Sequence, residues 1–113
     1  MIKAYRIESD TDHIGLFNSE SFLKLDLEDQ FSIIFKSIDL PTPEEDGCPQ
    51  TLGNFCAFLS QEQISHFINK EQIANLKEVG FHLYELELDD SCTKLNHQIL
   101  FTKDQVISKT QIW

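Results

Sequence analysis

Hydrophobic and polar residues alternate in several parts of the chain, and this period of two is typical of half-buried β-strands. The alternation predicts strands at 2–8, 81–88, 96–102 and 105–112, and the short apolar run 55–59 is also expected to be extended. Only a short polar step at Lys103 and Asp104 separates the last two predicted strands. We therefore expect these two strands to form a β-hairpin that closes the sheet.

A period of three to four replaces the alternation between 19 and 38. The apolar residues of this region share one helix face: Phe22, Leu23, Leu27, Phe31, Ile34, Phe35 and Ile38. Asp26 is a candidate N-cap inside the region, so one long helix and two short ones both fit the pattern. A second helical region opens at Ser60, which forms a capping-box sequence with Gln63.

The second helical region is divided at Asn69, and Gly80 is placed where a helix-ending residue is expected. We predict one α+β domain over 1–113, with an antiparallel or mixed sheet of about four to six strands and about two to three helices packed on it. The core is expected to contain Phe31, Phe35, Phe58, Phe67, Tyr84, Leu86, Ile99 and Phe101.

The chain is strongly acidic, with 19 Asp and Glu residues against 9 Lys and Arg and a net charge of −10. Such a field repels nucleic acid and anionic membranes and attracts basic surfaces. Three prolines predict a long loop over 40–54, which carries the acidic run 44–46. We therefore expect a basic protein partner, no direct nucleic-acid contact and no membrane, with these contact residues: Asp10, Asp12, Asp39, Glu44, Glu45 and Asp46.

The sequence offers no convincing catalytic or metal-binding set. Asp10, Asp12 and Gly15 match the first positions of a calcium loop, but Ile14 has no oxygen to offer, and Ser21 replaces the bidentate Glu. The three cysteines have no CxxC spacing, and no apolar run approaches the roughly 20 residues of a membrane span. We expect free thiols, a cytoplasmic protein, no metal and no cofactor.

The order of parts resembles a small ADP-ribosyltransferase-type domain. The matching positions are Tyr5-Arg6 in the first strand, Ser60 where a strand meets a helix, the strand Leu83–Asp89, and Gln98 at the head of a later strand. The resemblance implies a pocket for NAD or another nucleotide lined by Tyr5, Arg6, Ser60 and Gln98. Gln98 stands where the family has its catalytic Glu, and an amide cannot polarise a ribose hydroxyl as a carboxylate does.

Most of the chain also resembles small acidic proteins of bacterial viruses, through Pro41-Thr42-Pro43, Cys56–Ser60, Gly80-Phe81 and Gln98–Phe101. This resemblance implies a mobile-element setting in the cytoplasm of a host cell. Small acidic domains in that setting are often stoichiometric inhibitors of host defence. We therefore expect a non-catalytic, anti-CRISPR-like inhibitor that blocks a basic host protein with a nucleic-acid-binding groove. The alternatives are an ADP-ribosyltransferase-like domain that binds a nucleotide and an antitoxin or immunity protein.

Overall fold

The described chain forms an antiparallel sheet of six strands together with three α-helices, an α+β fold as the sequence predicts. The computed structural model describes residues 1–10, 15, 20–37, 55–66 and 68–113, without the side chains of 35–37. In chain order the elements are β1 (Ile2–Ser9), a 3-10 helix (Glu20–Lys24), α1 (Leu27–Ser37), β2 (Phe55–Phe58), α2 (Gln61–Ser65), α3 (Lys70–Glu78), β3 (Phe81–Leu88), β4 (Thr93–Lys94), β5 (Gln98–Phe101), a second 3-10 helix (Lys103–Gln105) and β6 (Val106–Gln111).

The strands lie in the order β4-β5-β2-β1-β3-β6, so the first strand of the chain lies near the centre of the sheet. β1 and β3 form its longest pair, which runs from Ile2 opposite Leu88 to Ser9 opposite Phe81. The predicted strand 81–88 is confirmed with the same bounds, and the other four predicted strands are confirmed within two residues at each end.

The predicted hairpin between 96–102 and 105–112 is wrong. β5 pairs with β2 and β4, whereas β6 pairs with β3 on the far side of the sheet. The hairpin in this part of the chain is instead β4–β5, with Thr93 opposite Leu100. Sequence alternation shows that a segment is extended, but long-range packing decides which strand becomes its neighbour.

The sheet has to curl for this topology to close. Four interstrand steps separate β5 from β6, or about 19 Å in a flat sheet. The five Cα–Cα steps from Phe101 to Val106 could span at most about 18 Å when fully extended, and part of this link is helical. Phe101 belongs to a buried cluster against which the partly buried Val106 packs, so the two sides of the sheet approach each other.

The two faces of the sheet contribute to two hydrophobic clusters. On one face Ile7, Leu83 and Phe81 pack against residues of the helices, including Ile33 and Leu76. On the other face a second set of buried side chains fills the inside of the curl: Ala4, Ala57, Leu86, Leu88, Cys92, Ile99 and Phe101. Leu86, Ile99 and Phe101 confirm the predicted core, while Phe58 and Tyr84 are half-buried.

Phe31 corrects the predicted core because its side chain is exposed. The helical region 19–38 breaks at Asp26, whose Oδ1 accepts a hydrogen bond from the Asp29 amide at 2.8 Å. The first part becomes a 3-10 helix, and in α1, which starts at Leu27, Ile33 rather than Phe31 faces the core. Phe35 and Phe67 of the predicted core lie outside the described side chains.

Local capping fixes the ends of the remaining helices, and the cap at Ser60 and the glycine after α3 are those that the sequence predicts. The Ser60 side chain accepts from the Gln63 amide at the start of α2, and Asn69 and Gln72 form a reciprocal capping box at the start of α3. Gly80 follows α3 with φ of 95°, a conformation that favours glycine. Its carbonyl accepts from the Asp10 amide at 2.8 Å, which joins this turn to the end of β1.

Candidate interaction surface

Three large apolar side chains form a ridge on the outside of the 3-10 helix and α1. Leu23, Leu27 and Phe31 are 72%, 67% and 67% exposed, respectively. Leu27 and Phe31 are four residues apart in α1 and therefore lie on the same side of that helix, while Leu23 lies in the 3-10 helix that precedes it. We call these three residues the outer stripe. Ile34, which is 43% exposed, continues it toward the end of α1.

Contacts on the inner side of α1 explain why the outer stripe points outward. Ile33 is fully buried in the core. The Asp29 carboxylate accepts a hydrogen bond from the Asn75 amide of α3 at 2.6 Å. Gln30 donates to the Leu25 carbonyl at 2.7 Å and so joins α1 to the preceding turn. Together these contacts fix the rotation of α1, so the stripe is a consequence of packing.

Acidic residues dominate the margins of the outer stripe. Glu20, Asp26 and Glu28 are exposed in the same segment, and Lys24 is the basic residue among the side chains described between 20 and 34. The stripe therefore combines apolar contact area with negative charge at its edges.

A second group of charged side chains lies on the face of the sheet opposite the helices. Arg6 and Glu8 of β1 have side chains only 12% and 11% exposed, and the Arg6 Nε donates to Glu8 Oε2 at 2.9 Å. Lys109 of β6 donates to the other Glu8 oxygen. The Arg6 guanidinium lies 5.4 Å from the ring centre of Phe55, and Lys109 Nζ lies 4.2 Å from that of Tyr84. We call Arg6, Glu8 and Lys109 the sheet charge cluster.

The residues of the alternative nucleotide pocket do not all converge. Tyr5 pairs with Phe58, and Phe58 pairs with Gln98, so Tyr5 and Gln98 lie on one face of the sheet with a strand between them. The Ser60 side chain is engaged as the N-cap of α2. Arg6 follows Tyr5 in β1 and points to the opposite face, into the sheet charge cluster.

The pKa values of the Tyr5 hydroxyl and the Cys92 thiol are both raised, which favours the uncharged forms of these two groups. Partial burial, together with a hydrogen bond to the Glu85 carboxylate at 3.1 Å, raises the pKa of Tyr5. Burial and the nearby Asp90 carboxylate raise the pKa of the Cys92 thiol, which disfavours the reactive thiolate. Within the described part of the chain, no three His, Cys, Asp or Glu side chains are grouped to hold a metal ion.

Comparison with models of protein families identifies a family for this chain. A model described as Bacteriophage T4 Y00F protein matches residues 2–113. The chain belongs to the Bacteriophage T4 Y00F protein family. This confirms the bacterial-virus setting that the sequence predicted. No curated protein and no solved structure matches this Y00F family member.

Of the acidic residues predicted to contact a partner, the structure describes only Asp10. Its carboxylate lies 3.4 Å from Nε2 of His82, and its side chain is about half exposed. Asp12, Asp39, Glu44, Glu45 and Asp46 lie outside the described residues. None of the helices in the described ranges is long and apolar enough to cross a membrane.

Sequence reasoning missed both the outer stripe and the sheet charge cluster. It placed the stripe residues on one apolar helix face and assigned Phe31 to the core, although the candidate N-cap at Asp26 was a signal that the helix could be interrupted there. The cluster had a weaker signal, because Arg6 and Glu8 are two residues apart in a strand and therefore share a face. Their partner Lys109 is distant in sequence and becomes visible only once β6 is placed.

Proposed function

We propose that this Y00F family member is a non-catalytic inhibitor that binds a basic host protein and blocks a host defence or nucleic-acid-handling step. The observation that carries the proposal is a group of exposed acidic side chains that are not paired with basic ones among the described residues. Among the described residues, no ion pair reaches a set of exposed glutamates spread over the helical side of the protein: Glu20, Glu28, Glu62, Glu71 and Glu78.

A basic nucleic-acid groove suits this surface for a physical reason. Such a groove is built from Lys and Arg side chains that neutralise phosphates, and an acidic protein surface presents a competing set of anions. Each exposed charge pair contributes only about 0.2–1 kcal/mol, so many of them have to act together. Their joint field acts at long range and therefore mainly raises the association rate. The protein would act in the host cytoplasm, where such grooves engage nucleic acid.

Affinity capture followed by kinetics tests the proposal. The full chain is immobilised, incubated with host lysate, and its stoichiometric partner is identified and purified. We expect association with the purified partner to slow steeply as NaCl rises, and duplex DNA to compete for the complex. A partner that binds equally well at all salt concentrations and ignores DNA would overturn the proposal. Host proteins that gain mass only when NAD is supplied would instead favour the ADP-ribosyltransferase-like alternative.

A further inference from the structure

We propose that the outer stripe is the docking site for an amphipathic helix of a partner, with apolar residues facing Leu23, Leu27 and Phe31 and Lys or Arg residues at its margins. This inference rests on the proposed function and adds the structural class of the partner segment. Its basis is the exposure of three large apolar side chains, two of which, Leu27 and Phe31, lie on the side of α1 that faces away from the core.

The geometry of the ridge favours a helical segment over an extended one. An α-helix satisfies its own backbone hydrogen bonds, so the side of α1 offers no row of free backbone groups to which a strand could add. Recognition there depends on side chains alone. The Cα atoms of an α-helix rise about 10 Å from Leu27 to Ile34, so the part of the stripe on α1, continued by Ile34, matches about two turns of a helix packed in the groove beside it.

The negative charge around the outer stripe argues against a second copy of this chain as the partner that binds there. A two-fold dimer through the stripe would bring together surfaces that share the exposed acids Glu20, Asp26 and Glu28. Each copy also carries a net charge of −10. Like charges at an interface oppose association, whereas a partner with basic residues flanking its apolar face gains from the same acids.

The test uses three labelled peptides and fluorescence anisotropy. The first is a helix-forming peptide of Leu and Lys with its leucines on one face. The second has the same composition in an order that destroys the apolar face, and the third has Glu in place of Lys. We expect the first peptide to bind the full chain at least about ten-fold more tightly than either of the others, a difference equivalent to about 1.4 kcal/mol.

Variants of the protein locate the binding. Leu27→Ser together with Phe31→Ser should weaken binding of the first peptide at least ten-fold. The matched control is Ile107→Ser with Ile112→Ser, which removes two other exposed apolar side chains, 54% and 41% exposed, from the β6 end of the sheet. The control should bind as the parent chain does. Both double variants should keep the melting temperature of the parent within a few degrees, because they change exposed residues.

Each other outcome overturns the inference. Equal binding of the scrambled Lys peptide would show that charge alone recruits the partner, which leaves the proposed function in place. Tight binding of the Glu peptide would contradict both proposals. A parent dimer in sedimentation analysis that Leu27→Ser and Phe31→Ser convert to a monomer would make a second copy the occupant. A large drop in melting temperature for that variant would show that the stripe is covered within the chain itself.

Discussion

Glu8 is a charged residue whose side chain is almost completely buried. Its carboxylate accepts hydrogen bonds from Arg6 and Lys109 and is largely removed from solvent. Two cations share one anion there, on a chain whose overall charge is strongly negative. The carboxylate therefore links the central strand β1 to the edge strand β6, across β3.

Replacing Glu8 should cost much more stability than breaking an exposed ion pair. We expect Glu8→Gln to lower the free energy of unfolding by about 3 kcal/mol, because it leaves the largely buried Arg6 guanidinium and the partly exposed Lys109 ammonium without a carboxylate. The control is Lys3→Met, which breaks the exposed contact between Lys3 and Glu85 at 3.9 Å and should change stability by less than about 1 kcal/mol. Urea denaturation measures both, and equal losses would show that the sheet charge cluster contributes little.

At the scale of the element, the cap at Asp26 marks where α1 begins, and packing of the inner side of α1 determines what it presents to solvent. The Asp26 carboxylate accepts a hydrogen bond from a backbone amide in the first turn. Ile33 takes the core position, whereas Leu27 and Phe31 lie on the outer side. The buried Phe22 and the exposed Phe31 are nine residues, or about two and a half helical turns, apart, so a regular helix would also place them on opposite sides.

Removing this cap should destabilise α1. We expect Asp26→Ala to cost about 1 kcal/mol, the usual loss for a side chain that accepts a hydrogen bond from the first turn. Glu28→Ala is the control, since Glu28 is an exposed acid of the same helix that does not cap it. Circular dichroism during urea unfolding compares the two variants. A loss for Glu28→Ala as large as that for Asp26→Ala would assign the effect to charge near the helix start.

A separate experiment tests whether the acidic residues of the predicted loop over 40–54 speed association with the basic partner. Glu44→Lys, Glu45→Lys and Asp46→Lys together should slow association with the basic partner and flatten its salt dependence. A matched triple reversal, Glu62→Lys, Glu71→Lys and Glu78→Lys, changes the net charge equally but lies on α2 and α3. We expect the loop variant to slow association more. Equal slowing would assign steering to the total charge rather than to this segment.

These elements show what the sequence could predict and where it failed. The strand 81–88, the cap at Ser60 and the division of the helical region at Asn69 depend on residues close together in the chain, and they were predicted correctly. The β5–β6 hairpin failed because the pairing of β6 with β3 depends on contacts across the whole sheet. The outer stripe was misplaced because helical periodicity identifies an apolar face but does not say which side of the helix meets the core.

At the scale of the whole molecule, the negative charge opposes the compact state. Folding brings carboxylates closer together than they are in the unfolded chain, and this repulsion is screened by salt. The glutamates without ion pairs on the helical side are the described groups most subject to it. The protein therefore gives up some stability in keeping the field that the proposed function uses.

Salt should consequently stabilise the protein. We expect the melting temperature to rise between about 10 mM and 500 mM NaCl, by roughly 4 °C for each kcal/mol of repulsion removed. A variant with Glu62→Gln, Glu71→Gln and Glu78→Gln should start from a higher melting temperature and respond less to salt. A parent melting temperature that falls with NaCl would show that ion pairs such as those of Glu8 outweigh the repulsion.

The position of β1 within the sheet also has a consequence for synthesis. β1 leaves the ribosome first, but its longest partner, β3, begins about 70 residues after β1 ends. At typical translation rates of about 5–20 residues per second, β1 waits roughly 4–14 s for that partner. Until then the edge of β1 that will pair with β3, in a strand with apolar residues such as Ile2 and Ile7, is open to association with neighbouring chains. The acidic segment that follows β1 is made during the same interval, so nascent copies on one messenger repel each other while their central strand is still exposed.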